Sequence, residues 1–219
     1  MPVKEIAIYG AGGFAREVAW LVESCNEAEK EWEAQCFIDD NESTHGEVLN
    51  GISVIGLEEA LRKYPQAKIV GGVGTPKTRQ LMMEKAKAAG FVFGTIIHPR
   101  VERSKTIEIG IGAVICAGNI LTVNITLGEH IQINLDCTIG HDVIMGDFTT
   151  LAPGVHVSGW VFFGNRVYVG TGAVIINGTK ENPLVIGDDA IIGAGACVTK
   201  SVAPGTTVVG VPAKPLNRV

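Results

Sequence analysis

From Ile109 onward every sixth residue is large and apolar through twelve positions: Ile109, Ile115, Leu121, Leu127, Ile133, Ile139, Met145, Leu151, Val157, Phe163, Val169 and Ile175. In a chain that is 46% hydrophobic, chance gives such a run about once in ten thousand trials. The residue after each is usually small (Gly110, Gly128, Gly140, Gly146, Ala152, Ser158, Gly164, Gly170), and the residue two before is often apolar (Ile107, Ile125, Ile131, Val143, Val155, Val161, Val167). A period of six reads as a repeated unit of one short strand and one corner. Three units close a triangular coil, with the aliphatic side chains stacked inside it. One coil cannot bury its own apolar face, so coils must stack. Twelve units make about four coils. An aromatic content of only 6% and 28 glycines suit such a narrow prism.

The register then slips. Ile186, Ile192 and Val198 continue the pattern, but the step from Ile175 to Ile186 is eleven, so five extra residues form a polar loop near Asn177 to Pro183. The stack is expected to end near Pro204, since Pro212 prevents the tail Val209 to Lys214 from adding a coil.

The first half has other periods. Lys4 to Gly10, Ala34 to Asp39 and Lys68 to Val73 read as strands; Phe14 to Cys25, Leu57 to Tyr64 and Thr78 to Ala89 read as helices. Alternation of this kind predicts a small parallel sheet with crossover helices. The expected division is a Rossmann-like domain over 1–95 and a β-helix with a C-terminal tail over 96–219.

A net charge of −5 argues against nucleic-acid binding, which needs a basic surface. The N-terminus lacks a signal-peptide core and no stretch is long enough to span a bilayer, so a cytoplasmic address is expected. Cys25, Cys36, Cys116, Cys137 and Cys197 are widely spaced, with no C-x-x-C pair, and read as buried thiols rather than a disulfide framework or a metal site.

Six segments carry a family resemblance: GAGGFARE at Gly10 to Glu17, FIDD at Phe37 to Asp40, IIHP at Ile96 to Pro99, IGHDVIMGDFTTLAPG at Ile139 to Gly154, IIGAGACV at Ile191 to Val198, and GVPAK at Gly210 to Lys214. With these the chain resembles the hexapeptide-repeat acyltransferases. More narrowly, it resembles the bacterial sugar acyltransferases with a small Rossmann-like domain before a left-handed β-helix, among them the UDP-4-amino-sugar N-acetyltransferases and the sialic acid O-acetyltransferase group. The resemblance implies acetyl-CoA as co-substrate, a nucleotide-linked amino sugar as acceptor, surface-glycan synthesis, no metal, and a homotrimer whose active sites lie in grooves between β-helices.

His141 is the candidate base. A protonated sugar amine must lose a proton before it attacks a thioester, and imidazole suits that step. By resemblance His141 accepts the proton and Asp142 makes it a better base. Asp142 stands where the amino-sugar enzymes often have Glu, and neighbours on a straight strand point to opposite faces, so the pair needs a bend. The resemblance also makes the Gly159 N–H the oxyanion donor. It runs pantetheine past Gly170, Thr171, Gly193 and Ala194, and the tail with Pro212, Lys214 and Arg218 over the nucleotide end of CoA. Thr150 occupies a place where the amino-sugar enzymes often carry a second histidine that meets the acetyl end. None of the cysteines sits where an acyl-enzyme would form, so direct transfer is expected. His45 and His130 read as solvent residues, His156 as outward-facing, and His98 as structural.

The loop Gly10 to Gly13 follows a strand and opens a helix, which suits a phosphate or nucleotide. By resemblance Gly12, Gly13, Phe14, Asp39, Asp40 and Gly74 surround the base of the sugar nucleotide. Two other enzyme readings remain at this stage. One is a sugar O-acetyltransferase on the same fold; the other is a NAD-dependent oxidoreductase built on the glycine loop, for which the first half looks too short.

Overall fold

The computed structural model describes residues 3–216. Two compact units emerge: the residues up to Pro99 with Ile111–Val114, and Arg100–Gly110 with Ile115 onward.

The first unit is a five-stranded sheet flanked by helices. Its elements are β1 (Lys4–Tyr9), α1 (Gly13–Ala28), β2 (Trp32–Ile38), β3 (Val48–Leu49), β4 (Ile52–Ile55), α2 (Leu57–Lys63), β5 (Lys68–Gly71) and α3 (Pro76–Ala88). The strand order is β3-β4-β2-β1-β5. The strands β4, β2, β1 and β5 run parallel, as expected, but β3 pairs antiparallel with β4. The sheet is therefore mixed. The cause is a tight turn at Asn50 and Gly51, both in the left-handed region (φ 49° and 80°), and Asn-Gly is the strongest short-range hairpin signal a sequence offers. Ile6, Ala7, Ile8 and Tyr9 are wholly buried, and α1 covers them with Ala15, Val18, Leu21 and Val22. Ala15 packs closely on Gly72, where an added Cβ would lie 2.8 Å from the Ala15 Cβ.

The second unit is the left-handed β-helix. Its first face stacks Glu102–Arg103, Ile120–Leu121, Thr138–Ile139, His156–Val157, Val174–Ile175 and Cys197–Val198. The second stacks Glu108–Ile109, Thr126–Leu127, Ile144–Met145, Val161–Phe163 and Leu184–Ile186. The third runs through Gln132–Ile133, Thr150–Leu151, Tyr168–Val169, Ile191–Ile192 and Thr207–Val209. Successive strands on a face pair in parallel. The apolar ladder is buried from Ile115 to Ile175, while Ile109 is only half-buried, at the first rung of its face.

Each six-residue unit has a fixed internal plan. The third residue after the inward aliphatic adopts positive φ, as at Asn124, His130, Asp136, Asp142, Phe148, Trp160 and Arg166. Asn and Asp tolerate this conformation, whereas bulky residues pay for it in strain. The residue one before that, on the edge between second and third faces, supplies a staple. Asp147 Oδ1 accepts the Glu129 N–H at 2.8 Å, Asn165 Oδ1 accepts the Asp147 N–H at 2.8 Å, and Asp188 Oδ1 accepts the Asn165 N–H at 2.9 Å. The glycine beneath each staple makes room for it: a Cβ on Gly164 would lie 2.0 Å from Asp188 Oδ1. Arg166 and Asp189 add a two-pronged ion pair, both bonds 2.9 Å, on the same edge.

Two expectations about the second unit need correction. The stack does not end near Pro204: Thr207–Val209 pairs in parallel with Ile191–Ile192, and Lys214–Pro215 then folds back antiparallel on Val208–Val209. Pro212 sits in the turn between these strands, where its missing N–H interrupts no ladder. His130 is not a solvent residue. It is 3% exposed and its ring stacks on Phe148, centroids 4.9 Å apart, one coil further on.

Candidate functional site

His141 follows the strand Thr138–Ile139 and precedes Ile144–Met145, so it stands on the edge between the first and second faces. Its Nδ1 lies 2.8 Å from Asp142 Oδ2. The left-handed conformation of Asp142 (φ 58°) is the bend that brings these neighbours together. Asp142 is held in place as its N–H donates to Val123 O and its other carboxylate oxygen accepts from Asn124 Nδ2 at 3.3 Å. A carboxylate only accepts, so Nδ1 carries the hydrogen and Nε2 presents a lone pair outward. The His141 side chain is 55% exposed and that of Asp142 26%.

Gly159 occupies the same place one coil later. A Cβ there would lie 2.5 Å from both Cε1 and Nε2 of His141. Only glycine lets the ring lie where it does. Among the described residues the Gly159 N–H donates to no acceptor, while its carbonyl accepts from Gly178 N–H at 3.0 Å.

The other expected donor-side residues lie on different parts of the prism. Gly170, Thr171, Gly193 and Ala194 sit on the edge between third and first faces, in two successive coils. The Gly170 N–H donates to Ile192 O at 2.8 Å, and Thr171 O accepts from Gly195 N–H at 2.8 Å. Thr150 lies within the third face and is buried. Lys214 is exposed on the terminal strand, and Arg218 lies outside the described residues. One chain thus places His141 and the expected pantetheine residues on separate edges. His156 points outward, as expected, with Nδ1 2.9 Å from Thr138 Oγ1, and His98 is buried.

Burial pushes the thiols of Cys25 and Cys137 up to about 11 and that of Cys36 up to about 12. None of the three is a ready nucleophile.

In the first unit, Gly12 is the N-cap of α1 and makes no side-chain cap bond; Gly12 and Gly13 are exposed, with open space where a Cβ would be, and Phe14 is half-buried. Asp39 and Asp40 follow β2 and line a cleft of about 470 Å³ with His45, Leu57 and Lys85. Asp40 Oδ1 accepts from both Tyr9 Oη (2.8 Å) and Lys85 Nζ (2.5 Å). Burial raises the Asp40 carboxyl, but these bonds outweigh it and hold the group below its ordinary value. Asp39 caps the turn that follows, accepting the Asn41 N–H at 2.8 Å. His45 is exposed, as expected, and its Nε2 lies 2.9 Å from Asp39 O. Gly74 lies in the β5–α3 loop, and here the sequence reading missed a residue. Arg79, 1% exposed, donates from Nη1 to Val73 O at 2.9 Å and Gly74 O at 3.1 Å, so it shapes that loop from beneath. Its place on the inner face of α3, beside Met83 and Ala86, was the available signal.

Residues 5–86 match the PglD N-terminal domain model. The chain is 34% identical over 213 residues to the GDP-perosamine N-acetyltransferase of Escherichia coli, covering 96% of each. The chain belongs to the hexapeptide-repeat sugar acetyltransferases. Among solved structures, WeeI from Acinetobacter baumannii superposes with a TM-score of 0.89 at 34% identity, over 97% of this chain and 100% of that one. The acetyltransferase domain of PglB from Neisseria gonorrhoeae, solved with acetyl coenzyme A, gives 0.85 at 31% identity, over 98% and 100%. A perosamine N-acetyltransferase variant from Caulobacter crescentus, solved with CoA and GDP-perosamine, gives 0.86 at 26% identity, over 100% and 99%. Among the described residues no helix is long and apolar enough to cross a membrane, and no cluster of three or more His, Cys, Asp or Glu is placed to hold a metal ion.

Proposed function

We propose that the protein transfers the acetyl group of acetyl-CoA to the amine of a nucleotide-linked amino sugar, a 4-amino-4,6-dideoxy sugar, for surface-glycan synthesis in the cytoplasm. Residues 1–95 hold the acceptor and 96–219 the donor. The observation that carries the reading is the His141–Asp142 pair with Gly159 against the imidazole. As the amine nitrogen attacks the thioester carbon, His141 Nε2 takes its proton. Asp142 stabilises the imidazolium that forms. The carbonyl oxygen becomes an oxyanion and takes the Gly159 N–H. The C–S bond then breaks, CoA leaves as thiolate, and His141 returns the proton to sulfur. No covalent enzyme intermediate is needed, in keeping with the raised thiols.

The separation of the two edges supports a composite site. A second copy would bring its Gly170–Thr171 and Gly193–Ala194 edge to the His141 edge of the first, with Lys214 lining the donor's path and Thr150 buried behind it, and three copies close the ring. In the first unit, the Gly12–Phe14 helix start suits the diphosphate, while Asp39, Asp40 and Gly74 border the base.

The test is thiol release from acetyl-CoA with GDP-perosamine, then with UDP- and dTDP-linked 4-amino sugars and their hydroxyl counterparts. Turnover with an amine and none with its hydroxyl counterpart is expected. Turnover on hydroxyl acceptors alone would replace N- by O-acetylation, and full activity in His141→Ala would end the mechanism.

A further inference from the structure

Successive residues of a strand point to opposite sides, so each two-residue strand of the prism sends one side chain in and one out. On the first face the outward column runs Glu102, Ile120, Thr138, His156, Val174 and Cys197, one residue per coil. Ile120 and Val174 are 42% and 39% exposed. These two branched aliphatics flank a polar pair, Thr138 and His156. The His156 ring is held by that pair, with Nδ1 2.9 Å from Thr138 Oγ1. Among the described residues its Nε2 meets no hydrogen-bond partner.

The threefold closure proposed above joins the edge between first and second faces of one copy to the edge between third and first faces of the next. Both edges bound the first face. The remaining corner, between second and third faces, must then point outward, because prisms turned the other way would occupy the same space. The three first faces look at one another across the axis, and equal rungs meet at one level. Ile120 and Val174 gain cover there, and three His156 imidazoles converge between apolar rungs. Packed sheets lie about 10 Å apart, which puts each backbone about 5 Å from the surface they share. An imidazole and a metal–nitrogen bond of about 2 Å span that distance. Unmatched ring nitrogens in such a seam are unfavourable, and a shared cation matches all three. Among the described residues of one chain no three His, Cys, Asp or Glu are placed to hold a metal ion, so this site exists only where three copies meet.

We propose that the three His156 side chains of a trimer bind one zinc-class divalent cation on the threefold axis through Nε2, with water as the fourth ligand. Thr138 Oγ1 accepts the Nδ1 hydrogen in that state and so sets the tautomer and the aim of the ring. The cation braces the assembly and takes no part in acetyl transfer, since His156 lies on a face and not on the His141 edge. The proposal rests on the threefold assembly.

Untagged protein, stripped with a chelator and dialysed, is weighed by sedimentation, titrated with zinc chloride in a calorimeter, and loaded with cobalt(II) for its visible spectrum. A trimer that takes up one zinc per three chains with a Kd below about 10 μM is expected. His156→Ala should remain trimeric and bind that zinc at least about a hundredfold more weakly, with the cobalt bands gone; Thr138→Val should keep the stoichiometry and weaken binding about tenfold. A trimer that takes up no zinc, or zinc bound one per chain and unchanged in His156→Ala, would overturn the inference and leave the trimer standing. A single chain by mass would remove trimer and site together, while thiol release still decides acetyl transfer. If His156→Ala does not assemble, Thr138→Val decides, and an unchanged zinc affinity there would overturn the inference.

Discussion

Gly159→Ala separates the position of the imidazole from its presence. The added methyl would sit 2.5 Å from Cε1 and Nε2 of His141 and 2.9 Å from Nδ1. Contacts this short cannot persist, so either the ring or the coil moves. The coil is anchored on both sides, by Trp160 N–H to His141 O at 3.1 Å and by Gly178 N–H to Gly159 O. The ring is 55% exposed and held by one bond to Asp142. It therefore swings away, and the φ of Gly159, outside the left-handed region, adds no backbone strain. On the proposed mechanism the variant keeps its oxyanion N–H but loses the aim of Nε2. General-base catalysis is worth about 10²- to 10⁴-fold, so kcat/KM should fall about 10²- to 10³-fold, or about 3–4 kcal/mol of transition-state stabilisation. The melting temperature should move by less than about 3 °C, since the displaced ring is exposed. In a His141→Ala background the same methyl meets no ring and should cost less than about threefold. Thiol-release kinetics and a thermal melt measure both. Gly159→Ala retaining kcat/KM within about threefold would refute the geometry, and an undiminished penalty without the ring would show that the coil, not His141, gives way.

Asp142→Asn keeps a residue that tolerates positive φ but removes the charge beside Nδ1, so kcat should drop about 10- to 100-fold, with the thermal melt unchanged. Gly164→Ala would drive a methyl to 2.0 Å from Asp188 Oδ1 and 2.6 Å from its backbone nitrogen, and urea unfolding should show a loss of about 1–3 kcal/mol. Asp40, held below its ordinary value in the folded chain, contributes stability that is present above the unfolded-state value near pH 4 and is lost as pH falls through the lower folded value. Asp40→Asn should flatten that acid limb in pH-dependent melts, and an unaltered acid limb would show that the Tyr9 and Lys85 bonds carry no linkage.

The β-helix was legible because its constraint is local and repeated: each inward aliphatic from Leu121 to Val157 meets the same surroundings eighteen residues on, at the matching place in the next coil. Its end was not. Pro212 reads as a terminator, yet the chain runs one strand past Pro204 before the turn that uses it. His130 looked exposed because the period marks only which strand residues face in; a corner side chain is buried by its neighbour, here Phe148. The β3–β4 hairpin is signalled by Asn50-Gly51, though strands of two and four residues are too short to show an alternating pattern. The role of Arg79 depends on a loop that closes over it in three dimensions.

The same position of the repeat does different work on different edges. Between second and third faces it holds Glu129, Asp147, Asn165 and Asp188, and from Asp147 on each side chain bonds the backbone of the coil before. Those bonds leave the carboxylates little freedom. On the edge of His141 the position holds Val123, His141, Gly159, Asn177 and Lys200, and among the described residues none of these side chains bonds the backbone of a neighbouring coil; the staples of this edge come one residue later, where Thr106 Oγ1 accepts the Asn124 N–H and Ser201 Oγ accepts the Val185 N–H. The prism remains rigid there because strand pairing on the adjoining faces continues regardless. Side chains at this one position of the edge are therefore not tied to the backbone of a neighbouring coil. A fold that stabilises itself through one edge can vary another without losing its register, and the five-residue loop near Asn177 to Pro183 is inserted at this edge without shifting any ladder residue.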